Sequence, residues 1–569
     1  MIRLRIGALA AAAAIAFAAC GGASSPSPTS GATPAPGSTD TPAPTEGNGP
    51  KDGGTLVVAL PGDISRTDSA LIDDSNSSYV MNQVMEGLVG LEPGTTSKIR
   101  PALAESWTLS PDGKTYTFKL RQGVKFHDGT SVDAEAIKYN YDRWVNFPTE
   151  LQDYSYYAGA VFGGYGETSN VASVDIVDPS TISITLRTPN SAFLITQTLT
   201  VFGIASPTAL KAGHADNSET DVSKIDYAQG GATAMVGTGP FKFKEWVVGD
   251  HITVERNADY WDPAGLAHLD AIVFKPVAEE AQRVNGLASG EIDFAQTLAP
   301  VDIATISGNA ELVVVDRGEA CNTMQISMNH SYTPINNVKI RQAIGYAVNK
   351  QYLIDTFYAG LAVPADNWMP VNTQYAKPLG LPTYDPQKAK DLIGESALTG
   401  DDLTIDFYYP SDVTRPYMPD PKGIFEAITG DLEAVGFKIV PHTETWRPDY
   451  LDHEYAGNFE MWMLGWTCDW AGPDNYLKTA FFGYVDGAPS PEFNYKSDEL
   501  EKTMNDALAA TDEATAKSLW EHAQDILAAD LPTVPMINSK PPAAARADVM
   551  GFVGSGTLTE YFNTVWLDR

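Results

Sequence analysis

Apolar and polar positions alternate in the first half of the chain and recur at helical spacing in the second. Tyr116, Phe118 and Leu120 alternate with Thr115, Thr117 and Lys119. Ile182, Ile184 and Leu186 alternate with Ser183 and Thr185, and Ile252 and Val254 flank Thr253. A period of two puts one side of a strand in a core and the other in water, so these segments predict half-buried, antiparallel strands. Leu56-Val57-Val58-Ala59-Leu60 is instead an unbroken apolar run of strand length. Residues 79–88 predict a helix. Later helices are predicted over 338–359, over 386–393 and over 425–435, the last closed by Gly436. Strands predicted at 403–409 and 437–440 flank that last helix, an order that suggests a βαβ unit. Ser497 caps a helix with Leu500, Met504 and Leu508 on one face, and Trp520, Ala523 and Leu527 mark the next. No internal repeat is visible.

The ends change the picture. Arg3 and Arg5 precede an apolar run over 6–19, too short to span a bilayer, which needs about 20 residues. Ala18 and Ala19 then lead to Cys20. This is the layout of a secretory signal peptide over 1–19. Residues 21–50 are nearly all Gly, Ala, Ser, Thr and Pro, too poor in apolar surface to offset their ordering entropy. With Cys20 they form a flexible tether over 20–50. From Lys51 the composition is globular. Single cores stop growing at roughly 250–300 residues, so a chain of 569 residues holds at least two domains.

The formal charge of −34 repels nucleic acid and anionic lipid heads. It serves solubility and leaves the ligand undecided. After Cys20 only Cys321 and Cys468 remain. An exported protein admits a bridge between them, but two separate buried thiols are the preferred reading. No Gly-x-Ser-x-Gly elbow and no His-Glu-x-x-His is present. His127-Asp128 reads as a hairpin-end turn. The eight histidines are scattered without ligand spacing. Neither catalytic residues nor a metal or cofactor are expected.

Several stretches, in order, resemble family 5 of the bacterial extracellular solute-binding proteins. They begin with Pro101-Ala102-Leu103-Ala104-Glu105-Ser106-Trp107, Asp112-Gly113-Lys114-Thr115-Tyr116 and Gly123-Val124-Lys125-Phe126-His127-Asp128-Gly129. Gly237-Thr238-Gly239-Pro240-Phe241, Arg256-Asn257-Ala258-Asp259-Tyr260-Trp261 and Ser289-Gly290-Glu291-Ile292-Asp293 follow. Val338-Lys339-Ile340-Arg341-Gln342-Ala343-Ile344 and Asp530-Leu531-Pro532-Thr533-Val534-Pro535 complete the set. The resemblance implies an α/β, two-lobed periplasmic-binding-protein-like type II fold (cluster C) with an extra subdomain in the first lobe. Lobe I would span 51–320 with the subdomain at about 95–235, lobe II 321–530, and 531–569 would return to lobe I. It implies a monomer that closes on its ligand by hinge motion and delivers it to an ABC permease with its ATPase subunits. The segment around Cys20 resembles a lipobox, which implies lipidation of that cysteine and anchoring on the extracytoplasmic face of the plasma membrane.

Two segments resemble those of dipeptide-binding members. Thr414-Arg415-Pro416-Tyr417-Met418-Pro419 corresponds to the one whose arginine clamps the peptide carboxylate. Gly465-Trp466-Thr467-Cys468-Asp469-Trp470 corresponds to the one whose aspartate takes the α-ammonium. Arg415 and Asp469 are the residues carried over, with Trp466, Thr467, Trp470 and Tyr417 around them and Ser75 and Asn76 from the first lobe. A guanidinium fork is suited to a carboxylate, which it holds with two parallel bonds. Trp446, Trp462, Trp466 and Trp470 make this part of the chain rich in tryptophan. Two of the four are expected to line the cleft and two to be buried. Short peptides, di- and tripeptides first, are the implied ligands. An oligosaccharide or a nickel chelate, in the same fold, is the alternative.

Overall fold

A computed structural model describes residues 49–557 and 560–569. The expected signal peptide, Cys20 and residues 21–48 of the tether lie outside them. Seven strands form the first sheet, in the order Leu312–Val315, Ala543–Arg546, Phe294–Ala295, Thr55–Leu60, Ala271–Pro276, His251–Arg256 and Phe241–Val247. Thr55–Leu60 is central and parallel to both its neighbours. Burial on both faces explains its unbroken apolar run. His251–Arg256, antiparallel to both neighbours, buries Thr253 along with Ile252 and Val254, so the half-buried alternation expected there is not kept.

The strongest alternation, at 115–120 and 181–186, belongs to a separate four-stranded antiparallel sheet with Ala104–Leu109 and Val171–Asp178. Tyr116, Phe118, Leu120, Ile182, Ile184 and Leu186 are all buried on one face. The helix Ala134–Val145, capped by the Asp133 carboxylate, packs beside them.

Six strands form the second sheet, in the order Ala362–Pro364, Val534–Ser539, Asn322–Met328, Met461–Thr467, Thr404–Pro410 and Lys438–Glu444. The expected βαβ unit is present: Thr404–Pro410 and Lys438–Glu444 pair in parallel around the helix Pro421–Val435. That helix starts earlier than expected because Asp420 caps it and Pro421 fills its first position. Gly436 ends it at φ 119°, in the left-handed region.

Two helices depart from expectation. The first runs Ser75–Met81, capped by Asp74. It stops before 88 because the carbonyls of Gln83 and Val84 accept hydrogen bonds from Phe241 and Gly239 instead of continuing the helix. The 338–359 pattern breaks into Val338–Ala347 and Lys350–Phe357. Val348 is extended, and the Asn349 side chain caps the second piece by accepting from the Tyr352 N–H.

Each large sheet carries its own core, one around Leu56, Tyr79, Phe118 and Phe274, the other around Ile326, Ile344, Phe407 and Trp462. The chain passes from the first sheet to the second between Val315 and Asn322. It returns between Ser539 and Ala543 rather than near 530, because Val534–Ser539 pairs with Asn322–Met328. Arg317, fully buried, sits at this crossing. Its guanidinium meets the buried Glu560 carboxylate at 2.6 Å and donates to the carbonyls of Pro541 and Gln296. Removing one partner of such a pair costs about 3–5 kcal/mol. Away from the crossing, Ser191 donates through its N–H and hydroxyl to the carbonyls of Leu508 and Ala507, at the C-terminus of the helix Asp498–Leu508.

The cysteines correct an expectation. Cys321 and Cys468 are bridged, with Cα atoms 5.5 Å apart. Cys321 immediately precedes Asn322, and Asn322 faces Thr467 in the antiparallel register. The two cysteines are therefore brought together where their strands meet at the sheet edge.

Candidate functional site

Three neighbouring strands of the second sheet, Met461–Thr467, Thr404–Pro410 and Lys438–Glu444, run in parallel. Their carboxyl ends open on one edge, the place where α/β sheets hold ligands. Asp469 follows the first strand, Arg415 the second and Trp446 the third. The order of strands thus gathers residues far apart in sequence.

The Asp469 loop is tightly built. The Asn475 side chain, fully buried, donates to Asp469 Oδ2 at 3.0 Å. Its oxygen accepts from the Asp469 N–H and from Trp466 Nε1. Trp470 Nε1 donates to the Asp474 carboxylate, which burial pushes up to about 6. The disulfide fixes the residue before Asp469, and Thr467 Oγ1 donates to Asn322. The other Asp469 oxygen accepts from the Tyr157 hydroxyl at 3.0 Å. Tyr157 comes from the helix Tyr156–Phe162, which packs on the first core, so this bond spans the two lobes. Burial raises the Asp469 carboxyl above its ordinary range, and the bonds from Asn475 and Tyr157 pull it back. Burial, then the Asp469 charge, pushes the Tyr157 hydroxyl well up, so it stays a donor.

Arg415 is placed differently. Its backbone pairs with Met418, and Ser539 Oγ donates to the Pro416 carbonyl. Below it the Tyr417 ring lies on Gly465, where any Cβ would collide with that ring and with the Thr323 carbonyl. The guanidinium carbon stands 4.7 Å from the centre of the Trp446 ring, a cation–π contact. Among the described residues it makes no ion pair, and its Nε is buried without a partner. Arg415 is half-buried, with no carboxylate partner among the described residues and with its Nε shielded from solvent.

The expected site residues therefore divide. Asp469, Trp466 and Thr467 share one loop and strand end, and Arg415 opens onto the same edge. Tyr417 is buried in the second core. Trp470, 6% exposed, packs into the first core, carrying a second-lobe loop across to the first lobe. Ser75 is exposed and Asn76 half-buried against Gly62. Their neighbour Asp73 lies close enough to Tyr157 for its charge to be felt. Tyr157 was not among the expected site residues, and Trp446 was expected only as one of four tryptophans that divide between cleft and core. Strand ends could have singled out Trp446, since a βαβ unit delivers the residues after each strand to one edge.

The family model of bacterial extracellular solute-binding proteins, family 5 Middle, matches residues 98–488. The glutathione-binding protein GsiB of Shigella flexneri is 30% identical over 504 residues, covering 87% of this chain and 91% of that protein. Among solved structures, the periplasmic binding protein DppA of Helicobacter pylori, associated with an ABC transporter and in complex with the peptide STSA, is 28% identical with a TM-score of 0.70, over 91% of this chain and 99% of that one. HbpA2 of Haemophilus parasuis is 26% identical with a TM-score of 0.78, over 91% of this chain and all of that one. These likenesses agree with the expected two-lobed type II architecture.

Proposed function

This chain belongs to the bacterial extracellular solute-binding proteins of family 5, and on that premise we propose that it captures short peptides between its lobes and hands them to an ABC permease. Di- and tripeptides are the first candidates. The observation that carries this reading is the unpaired Arg415 guanidinium at the same sheet edge as the Asp469 carboxylate. Every free peptide brings one carboxylate and one ammonium, whatever its side chains. Arg415 takes the carboxylate and Asp469 the ammonium, with Tyr157 reaching Asp469 from the opposite lobe. Fixing both ends sets a length and leaves side chains little constrained. Relatives named for glutathione, itself a tripeptide, and for a bound peptide support the same ligand class.

Closure about the crossing at 315–322 and 539–543 encloses the ligand, and the closed form is what the permease meets. The protein works as a monomer, held through a lipid on Cys20 at the extracytoplasmic face of the membrane.

A thermal-shift screen tests the reading. Free di- and tripeptides, glutathione, oligosaccharides and nickel chelates are each added to the purified protein. A ligand at about 100 times its dissociation constant adds about 2.7 kcal/mol of stability. Free short peptides should raise the midpoint. A shift by sugars or chelates alone would overturn the peptide reading and leave the family and fold intact.

A further inference from the structure

Two donors at the carboxyl edge of the second sheet have no acceptor. Arg415 Nε and Trp446 Nε1 are both shielded from solvent, and neither has a hydrogen-bond partner. They belong to side chains in contact, the guanidinium lying over the indole. Buried polar groups are seldom left unpaired, because each costs about 1–3 kcal/mol. Two neighbouring orphans on two separate loops indicate a shared acceptor that arrives with the ligand.

The indole is not free to turn away. The Trp446 backbone N–H donates to the Asp412 carboxylate at 2.7 Å, and Ser411 donates to the Glu444 carbonyl, so the Arg415 and Trp446 loops are tied together. The ring stacks on Tyr450 at 5.7 Å and 21°. Tyr450 is itself fully buried and donates to the Met463 carbonyl. An indole N–H lies in the plane of its ring. With the face of the ring committed to the guanidinium, the N–H points past the edge of the stack.

We propose that Trp446 is a specificity-determining residue of the ligand site, donating Nε1–H to the ligand's terminal carboxylate while its face holds Arg415 flat. The inference rests on the peptide reading above and names how that end is recognised. A carboxylate offers about four lone-pair sites and no proton. The guanidinium fork and the indole together can use three of them. A C-terminal amide replaces one oxygen with an NH2 group, whose protons would face the donors, so Trp446 sharpens the preference for a free end.

Calorimetric titration of one tripeptide, with a free carboxylate and as its C-terminal amide, tests this on wild type and on Trp446→Phe. Phenylalanine keeps an aromatic face and removes only the N–H. Trp446→Phe should weaken the free tripeptide about tenfold, the worth of one hydrogen bond to a charged group, and the amide less than about twofold by the same reckoning. Trp446→Leu, which loses the face as well, should weaken the free form further. A wild type that discriminates and a Trp446→Phe variant that discriminates equally well would overturn this inference alone. A wild type indifferent to amidation would overturn both this inference and the role of Arg415 on which it rests.

Discussion

At Asp469 both carboxylate oxygens are bonded within the protein, one of them from the other lobe by Tyr157. At Arg415, among the described residues, the guanidinium has an aromatic face and no anion. On the proposed peptide reading the two ends would enter binding from different states. An ammonium arriving at Asp469 would join or displace an existing donor and gain only the difference. A carboxylate arriving at Arg415 would meet a cation with no carboxylate partner among the described residues. The acidic end, bonded to Tyr157 of the other lobe, would then sense closure, and the basic end would select.

Removing the basic end should therefore have the largest effect. Arg415→Met is expected to weaken free short peptides by about 30- to several thousand-fold, the range for losing one partner of a buried charge pair. The ligand-free melting midpoint should hold or rise, because an unpaired cation has gone. Calorimetry and thermal melts of the same preparation check both halves. A fall in the midpoint without loss of affinity would make Arg415 structural.

Tyr157→Phe should have a smaller effect of another kind. It removes a bond worth about 1.5–3 kcal/mol, one that joins the two lobes and that the proposed opening would break. The ligand-free protein should open, read as a larger scattering radius, and peptide dissociation should quicken about tenfold or more. An unchanged radius would deny Tyr157 its part in closure.

The smallest effect expected is a pH dependence confined to the acidic end. Burial raises the Asp469 pKa above that of an ordinary aspartate, about 3.9. The folded form therefore takes up a proton before the unfolded one does as pH falls. Its contribution to ligand-free stability is full at low pH and lost as pH rises through the raised value. Affinity moves the other way, because the protonated acid no longer attracts an ammonium. Free peptides should thus bind more weakly on acidification while N-acetylated ones keep a flat profile, and Asp469→Asn should flatten the profile of free peptides too. Equal slopes for free and acetylated peptides would contradict this.

How much of this was legible in the chain varies with the range of the forces involved. The strands at 115–120 and 182–186 were plain because each has one buried face, and the βαβ unit because Gly436 ends its helix. The helix predicted over 79–88 ends at 81 instead, where the next carbonyls, of Gln83 and Val84, accept tertiary bonds from Phe241 and Gly239. Arg415 and Asp469 were reached through family motifs. Tyr157 was not, since its partner lies 312 positions away and no local pattern encodes that meeting. The Cys321–Cys468 bridge, 147 positions apart, follows from the Asn322–Thr467 register, which only the folded sheet supplies. Trp470, expected against ligand, is buried with its N–H already given to Asp474.

The most direct test is a calorimetric comparison of one dipeptide in three forms: free, N-acetylated and C-amidated. If Arg415 and Asp469 each hold one charged end, both blocked forms bind more weakly than the free one, and the amide loses more than the acetylated form. Equal affinity for all three would mean that the cleft does not read peptide ends, and the central claim would fall.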